Sequence, residues 1–235
     1  MKIIHVSDTH YGPYTSLSYL EKVVKKVNAL KGDLVVLTGD YVHRTRRSVE
    51  PGIGVLSGLR ARYGVLAVLG NHDHWEGTEL CRTMFHRIKI PLLDNRHVYL
   101  TPEGIRNSPQ CDRSICLAGV GDLWEDEVSF KKALEGIPPA MPRIVLSHNP
   151  DTAEMIDQTQ RVDLLIAGHT HGGQVKLPLY ESMFAPTQFG HTYLGGLCEG
   201  PECIVLVSRG VGLAGVPVRF FVPPEIAVIT LKERK

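Results

Sequence analysis

Apolar residues fall along this chain in two alternating patterns. Short continuous runs at Lys2–Val6, Leu34–Leu37, Val65–Leu69, Arg143–Leu146 and Asp163–Ala167 have the length of buried strands. Between them the spacing changes to three or four. Leu17, Leu20, Val23, Val24, Val27 and Leu30 share one helical face, with Ser18 and Glu21 spaced like a capping box and Gly32 as the stop. A second helical stretch begins near Pro51 with Ile53, Leu56 and Leu59. A third covers Glu79–Ile88 with Leu80, Met84 and Ile88 in line, Cys81 and Phe85 beside them, and a fourth runs from Pro150 to about Thr159. Strand and helix in alternation predict an α/β chain with parallel strands and right-handed crossovers.

The middle and the end are less regular. Arg96–Leu100 and Ile115–Val120 read as strands around a polar loop with Pro102, Gly104 and Pro109, and a short helix is expected over Val128–Leu134. Gln174–Leu177, Cys203–Ser208, Val218–Phe221 and Ile226–Leu231 read as further strands with Gly and Pro between them. There is no repeat, low-complexity tract or linker, so residues 1–235 are expected to form a single domain.

Each buried-type run stops at residues that carry chemistry. Lys2–Val6 runs into Asp8 and His10, Leu34–Leu37 into Gly39-Asp40, and Val65–Leu69 into Gly70-Asn71-His72-Asp73. Arg143–Leu146 ends at His148, and Asp163–Ala167 at Gly168-His169-Thr170-His171. In extended chain, residues i and i+2 point the same way, so His169 and His171 can enter one space. In an open parallel sheet, ligands collect beyond the carboxyl ends of the strands. Asp8, His10, Asp40, Asn71, His148, His169 and His171 are all oxygen or nitrogen donors. None is a thiol, which suits a pair of borderline divalent ions, Mn²⁺ first and Fe²⁺ or Zn²⁺ as alternatives, better than a structural zinc. The set exceeds the needs of one ion. Two ions sharing a ligand account for it, and only Asp8 or Asp40 carries the charge to bridge. Asp40 is preferred because its strand is expected between those bearing the other ligands. Two dications, two carboxylates and a hydroxide leave about +1, attractive to an anionic phosphate.

Composition narrows the partners. The 235 residues carry a formal net charge of +1, so no basic surface advertises nucleic acid or an anionic membrane. No apolar stretch approaches the roughly 20 residues of a membrane span, and Met1-Lys2 runs directly into Ile3-Ile4-His5-Val6, so neither a transmembrane anchor nor a leader is expected and the cytoplasm is the expected compartment. The five cysteines are an odd number; Cys111 with Cys116, or Cys198 with Cys203, could close a loop, but reduced thiols are expected. Nothing in the sequence reports an oligomeric state.

Asp8-x-His10, Gly39-Asp40, Gly70-Asn71-His72-Asp73, His148 and Gly168-His169-Thr170-His171 stand in the order and spacing of the calcineurin-like metallophosphoesterases, which this chain resembles from Met1 to about Gln174. The resemblance implies a four-layer α-β-β-α sandwich of two mixed β-sheets, with the late strands forming the second sheet. It implies Asp8, His10 and His171 on one metal, Asn71, His148 and His169 on the other, and Asp40 bridging. Gly168–Gln174, Pro217-Val218-Arg219 and Pro224-Glu225-Ile226 are similar to a narrower bacterial branch of phosphodiesterases and pyrophosphatases acting on UDP-diacylglucosamine, often membrane-anchored; attachment at the periphery of the inner membrane therefore stays open. Expected substrates are phosphate esters, small or lipid-linked.

The implied chemistry is in-line attack on a phosphodiester or pyrophosphate by a metal-bridging hydroxide, with catalytic His72 protonating the leaving oxygen. A phosphomonoesterase and a non-catalytic metal-binding scaffold are the alternatives; the intact Asn71-His72 pair disfavours the last. Many relatives read Gly-Asp-x-x-Asp, the second Asp orienting the catalytic histidine. Here position 43 is His43, and Asp73 or a main-chain carbonyl is expected to substitute. Gly172 and Gly173 are expected to make a tight turn, and His5 to be a core histidine. Gln174 is divided between support of a ligand histidine and simple strand polarity. Arg44, Arg46 and Arg47 are divided between a second phosphate and solvent. Trp75, Trp124, Met183 and Phe184 are candidates for a groove, with core packing the plainer expectation.

Overall fold

The computed structural model describes residues 1–109, 113–177 and 185–232. In chain order its strands are β1 (Lys2–Val6), β2 (Leu34–Thr38), β3 (Val65–Val68), β4 (Arg96–Thr101), β5 (Gly104–Arg106), β6 (Ile115–Gly119), β7 (Arg143–Leu146), β8 (Leu164–Ala167), β9 (Gly196–Glu199), β10 (Ile204–Val207) and β11 (Ala227–Thr230). The α-helices are α1 (Leu17–Ala29), α2 (Val49–Gly54), α3 (Asn71–Arg87) and α4 (Phe130–Ala133). Two mixed sheets result, ordered β11-β1-β2-β3 and β5-β4-β6-β7-β8-β10-β9.

The alternation of side chains along each strand builds the layers. Ile3, Leu34, Val36, Leu66 and Val68 of the first sheet pack on Leu100, Leu117, Ile144, Leu146 and Ile166 of the second. Their neighbours on the opposite face, Ile4, Val35 and Leu37, pack against Val23 and Val27 of α1, Ile53 of α2 and Phe85 of α3. In the second sheet Ala118, Val145, Leu165 and Val205 face Phe130 and Ala133 of α4. The order is helix, sheet, sheet, helix, the four layers that the resemblance implied. Strands covered on both faces read as unbroken apolar runs, which is why they were visible in the sequence.

The same property hid the division into sheets. The five site-bearing strands do not share one parallel sheet: β1, β2 and β3 lie in the first, β7 and β8 in the second. Nor do the late strands make the second sheet by themselves. β9 and β10 join its edge, while β11 returns to pair antiparallel with β1, Lys2 opposite Thr230. Local boundaries also shift. Ser16, not Ser18, caps α1, its hydroxyl accepting from the Tyr19 N–H. α3 starts at Asn71 rather than near Glu79, with a kink at Gly77 (φ +133°) that interrupted the apolar periodicity. Pro150–Met155 is a 3₁₀ turn and not a helix to Thr159, and β5 occupies part of the expected loop. Gln174–Leu177 and Val218–Phe221 form no full strand and meet at an isolated bridge, Val175 to Phe220. Met183, Phe184 and Cys111 lie outside the described residues; Cys81, Cys116, Cys198 and Cys203 are free thiols. Among the described residues no helix is long and apolar enough to cross a membrane.

Candidate metal centre

The segments leaving β1 and β2 are sewn together, Asp8 N–H donating to Gly39 C=O and His10 N–H to Asp40 C=O, both at 3.0 Å; those leaving β7 and β8 are joined by Gly168 N–H to His148 C=O at 3.0 Å. Asp8, His10, Asp40, His169 and His171 all take positive φ, between 43° and 69°. L-residues adopt this conformation only where surrounding structure imposes it, and such residues concentrate at functional sites. Glycines permit the crowding. A Cβ on Gly70 would fall 2.7 Å from Asp40 N and 2.8 Å from His148 Cγ, and one on Gly39 2.7 Å from His148 Nδ1.

The turned-in side chains form two buried donor groups, Asp8–His10–His171 and Asp40–His148–His169. In the first, His10 Nε2 and His171 Nε2 are 3.0 Å apart, with Asp8 Oδ1 3.3 Å from His171 Nε2. In the second, His148 Nε2 lies 3.0 Å from His169 Nδ1, 3.1 Å from Asn71 Oδ1 and 3.3 Å from Asp40 Oδ2. Asp40 Oδ2 is also 3.4 Å from His10 Nε2, so this one oxygen faces both groups. Its partner Oδ1 accepts from the His72 N–H at 2.9 Å. All seven donors anticipated from the sequence come together.

The electrostatics call for a cation. His148 Nδ1 faces the Thr38 carbonyl at 2.7 Å and must donate to it, which aims Nε2 at three acceptors. A proton or a metal ion has to lie among them. Without an ion, burial resists protonation of His148 but Asp40 outweighs it and lifts the pKa to about 10. Burial holds His169 down to about 3 and His10 well below its ordinary value, so both imidazoles are neutral, the form that binds a metal. Burial would raise Asp8 and Asp40, yet His171 and His148 respectively keep them ionised, below the usual carboxylate range. Neutral imidazoles, two carboxylates and no thiol fit borderline divalent ions.

His72 is half-buried beside this assembly and lines a cleft of about 290 Å³ that opens over Asp40, Asn71, His169 and His171. Its Nδ1 lies 3.3 Å from His43 Nδ1. Asp73 does not substitute for the missing carboxylate: it accepts from the N–H groups of Asp40, Tyr41 and Gly70 and pins the two loops together. His43 thus faces His72 at the position where the resemblance implied an aspartate, a partnership visible in the sequence only as an exception to a motif. The Gln174 side chain bonds no ligand histidine: its amide donates to the Ala214 and Val216 carbonyls and accepts from the Ala214 N–H, and only its main-chain N–H reaches a ligand residue, at the His171 C=O. Gly172 and Gly173 take the positive φ of a tight turn, and His5 is a buried core histidine bonded to Thr38. Arg44 donates to Gly215 C=O and lies over Tyr14, while Arg46 and Arg47 are exposed; none lines the cleft. Trp75 and Trp124 do line it, contrary to core packing, at 52% and 45% exposure. Arg219, unremarked by its chemistry, donates to the carbonyls of His171, Arg209 and Gly212 and ties the last loop to the centre.

The profile of the calcineurin-like phosphoesterases matches residues 1–173. The chain is 34% identical over 236 residues to phosphodiesterase YaeI of Escherichia coli (strain K12), covering 98% of this chain and 82% of that protein. It is 30% identical over 281 residues to UDP-2,3-diacylglucosamine pyrophosphatase LpxG of Chlamydia muridarum (strain MoPn / Nigg), covering 97% and 83%. Against other curated relatives it spans as little as 53% of their length. Among solved structures, the protein TT1561 of Thermus thermophilus superposes with a TM-score of 0.54 at 16% identity, covering 89% of each chain, a likeness of fold.

Proposed function

The chain belongs to the calcineurin-like phosphoesterase family, and from that premise we propose that it is a dinuclear metal-dependent phosphohydrolase cleaving phosphodiester or pyrophosphate bonds. The observation that carries this reading is Asp40 Oδ2, set 3.4 Å from His10 Nε2 and 3.3 Å from His148 Nε2, between two complete donor groups. Asp8, His10 and His171 would hold one divalent ion, Asn71, His148 and His169 the other, and Asp40 both. Bound there, the ions supply Lewis-acid charge for the phosphoryl oxygens and a water acidic enough to attack at neutral pH. Mn²⁺ is our first choice, with Fe²⁺ or Zn²⁺ next.

The protein's own groups do the rest. His72 borders the cleft, and the contact of its Nδ1 with His43 assigns Nε2 to carry a proton to the leaving oxygen. The His72 N–H to Asp40 Oδ1 bond couples the position of that acid to the shared carboxylate. The pairing of β11 with β1, which brings the end of the chain back to its start, supports treating residues 1–235 as one catalytic domain. The named activities of the Escherichia coli and Chlamydia muridarum relatives support diester and pyrophosphate substrates, small or lipid-linked.

The test is hydrolysis of bis-p-nitrophenyl phosphate beside p-nitrophenyl phosphate by metal-stripped protein, before and after Mn²⁺ is added. Metal-dependent turnover favouring the diester is expected. Preference for the monoester would reassign the chain as a phosphomonoesterase, and failure to bind metal would overturn the reading.

A further inference from the structure

The cleft has a built side that the hydrolytic chemistry does not use. Trp75 and Trp124 stand with ring planes 25° apart and centroids 6.3 Å apart. Trp75 meets His72 edge-on at 4.7 Å, and Trp124 meets His169 at 4.5 Å. Both are held in place. The Trp75 indole N–H donates to Glu125 Oε1 at 2.6 Å, and the buried Asp122 carboxylate accepts from the N–H groups of Trp124 and Glu125 at 3.0 and 3.1 Å. The loop after β6 is thus pinned so as to present one indole and anchor the other. Two half-exposed tryptophans fixed beside a reactive centre are apolar area waiting to be covered. Val175, Pro186, Ala214 and Val216 extend the apolar lining.

Charge points the same way. Among the described residues lining the cleft there is no lysine or arginine, and the nearby Arg44 is engaged by Gly215 C=O and Tyr14. Away from the metal centre, a second phosphate would find no lysine or arginine among the described lining residues to pair with it, whereas an apolar group would find a prepared surface.

We propose that the wall formed by Trp75 and Trp124 is the specificity surface of the site, receiving an apolar ester group of a singly charged phosphodiester. The proposal rests on the reading of the neighbouring centre as a phosphohydrolase. It makes Trp75 and Trp124 binding residues and Asp122 and Glu125 positioning residues that act through them.

Trp75 and Trp124 are the chain's only tryptophans, so tryptophan emission, excited selectively over the eight tyrosines, reports this wall alone. The experiment titrates Zn²⁺-loaded full-length protein with diphenyl phosphate, dimethyl phosphate and inorganic pyrophosphate while following tryptophan fluorescence, with displacement of bound diphenyl phosphate as a second readout. Diphenyl phosphate is expected to give a saturable change and to bind at least about ten-fold more tightly than dimethyl phosphate, in the range a hydrophobic subsite discriminates. Trp75→Ala and Trp124→Ala should each reduce that ratio to about three-fold or less, and Trp75→Phe should retain most of it. Equal affinity for the two diesters, tighter binding of pyrophosphate, or an unchanged ratio in both alanine variants with metal content intact would overturn the proposal. Metal-dependent hydrolysis of methyl p-nitrophenyl phosphate, measured on the same protein, separates the two readings. Hydrolysis with equal diester affinities leaves the enzyme and removes the wall; a diphenyl preference without hydrolysis of any diester removes the enzyme and leaves the wall.

Discussion

His43 Nδ1 stands 3.3 Å from His72 Nδ1. One ring must donate and the other accept, and burial holds the His43 pKa down to about 4, so the His43 ring is neutral at pH 7. A neutral imidazole can orient a protonated His72 without the charge that a carboxylate would bring to it.

His43→Asp should therefore stabilise the protonated form of His72. A general acid works only while protonated, so activity is lost as pH rises through its pKa, and raising that pKa moves the alkaline limb upward, by about 1 unit or more. The pH profile of kcat for a diester with a poor leaving group measures it. A downward shift, or none in a fully active variant, would remove His43 from this role.

His72→Ala should spare metal content and reduce turnover about 10²-fold or more for an alkyl leaving group, yet much less for nitrophenolate, which needs no proton. Parallel kinetics on the two esters decide. Equal losses would count against His72 as the acid.

Asp40→Asn removes the charge shared by the two donor groups. Turnover should fall at least about 100-fold and the metal content, read by elemental analysis, below two ions per chain, since a ligand counts for more than the supporting partners whose loss costs about 10–100-fold. Full activity with two ions retained would make the shared position of Asp40 irrelevant to catalysis.

Metal uptake should release protons. In the ion-free protein His148 has a pKa raised to about 10, so it is protonated at pH 7, and binding requires the neutral ring. Affinity should therefore rise with pH up to about 10, and calorimetry in buffers of different ionisation enthalpy should report release of at least about one proton per chain at pH 7, the His148 proton plus any lost by a bound water. Uptake of protons would invert the assignment.

Gly70→Ala tests the close approach of the loops. The added methyl would meet Asp40 N and His148 Cγ at 2.7 and 2.8 Å, both fixed by hydrogen bonds, so a loss of about 1–3 kcal/mol in stability and reduced metal content are expected. Thermal unfolding with and without metal separates the two effects.

Much of this centre was legible in the chain itself, because an unbroken apolar run followed by a donor is a local signal. Asp8, His10, Asp40, Asn71, His148, His169 and His171 each sit within a few residues of a buried strand's end, and no folding is needed to see that. What the run could not carry was membership of a sheet. A strand buried on both faces reads the same in either layer, so β7 and β8 looked continuous with β1, β2 and β3 although they come from the opposing sheet.

What meets across that gap is set by the packing of one sheet on the other. Asp40 Oδ2 faces His10 and His148 because two sheets pack face to face, and His43 reaches His72 because the segment after β2 bends over the start of α3. The tryptophan wall depends on Asp122, whose buried carboxylate holds a loop remote from Trp75 in sequence. Which donors exist, and that each ends a strand, can be read from the chain alone, since strand burial and residue chemistry are local. The shared oxygen, the histidine pair and the apolar side of the cleft belong to the fold, since distances between remote segments are set by packing alone.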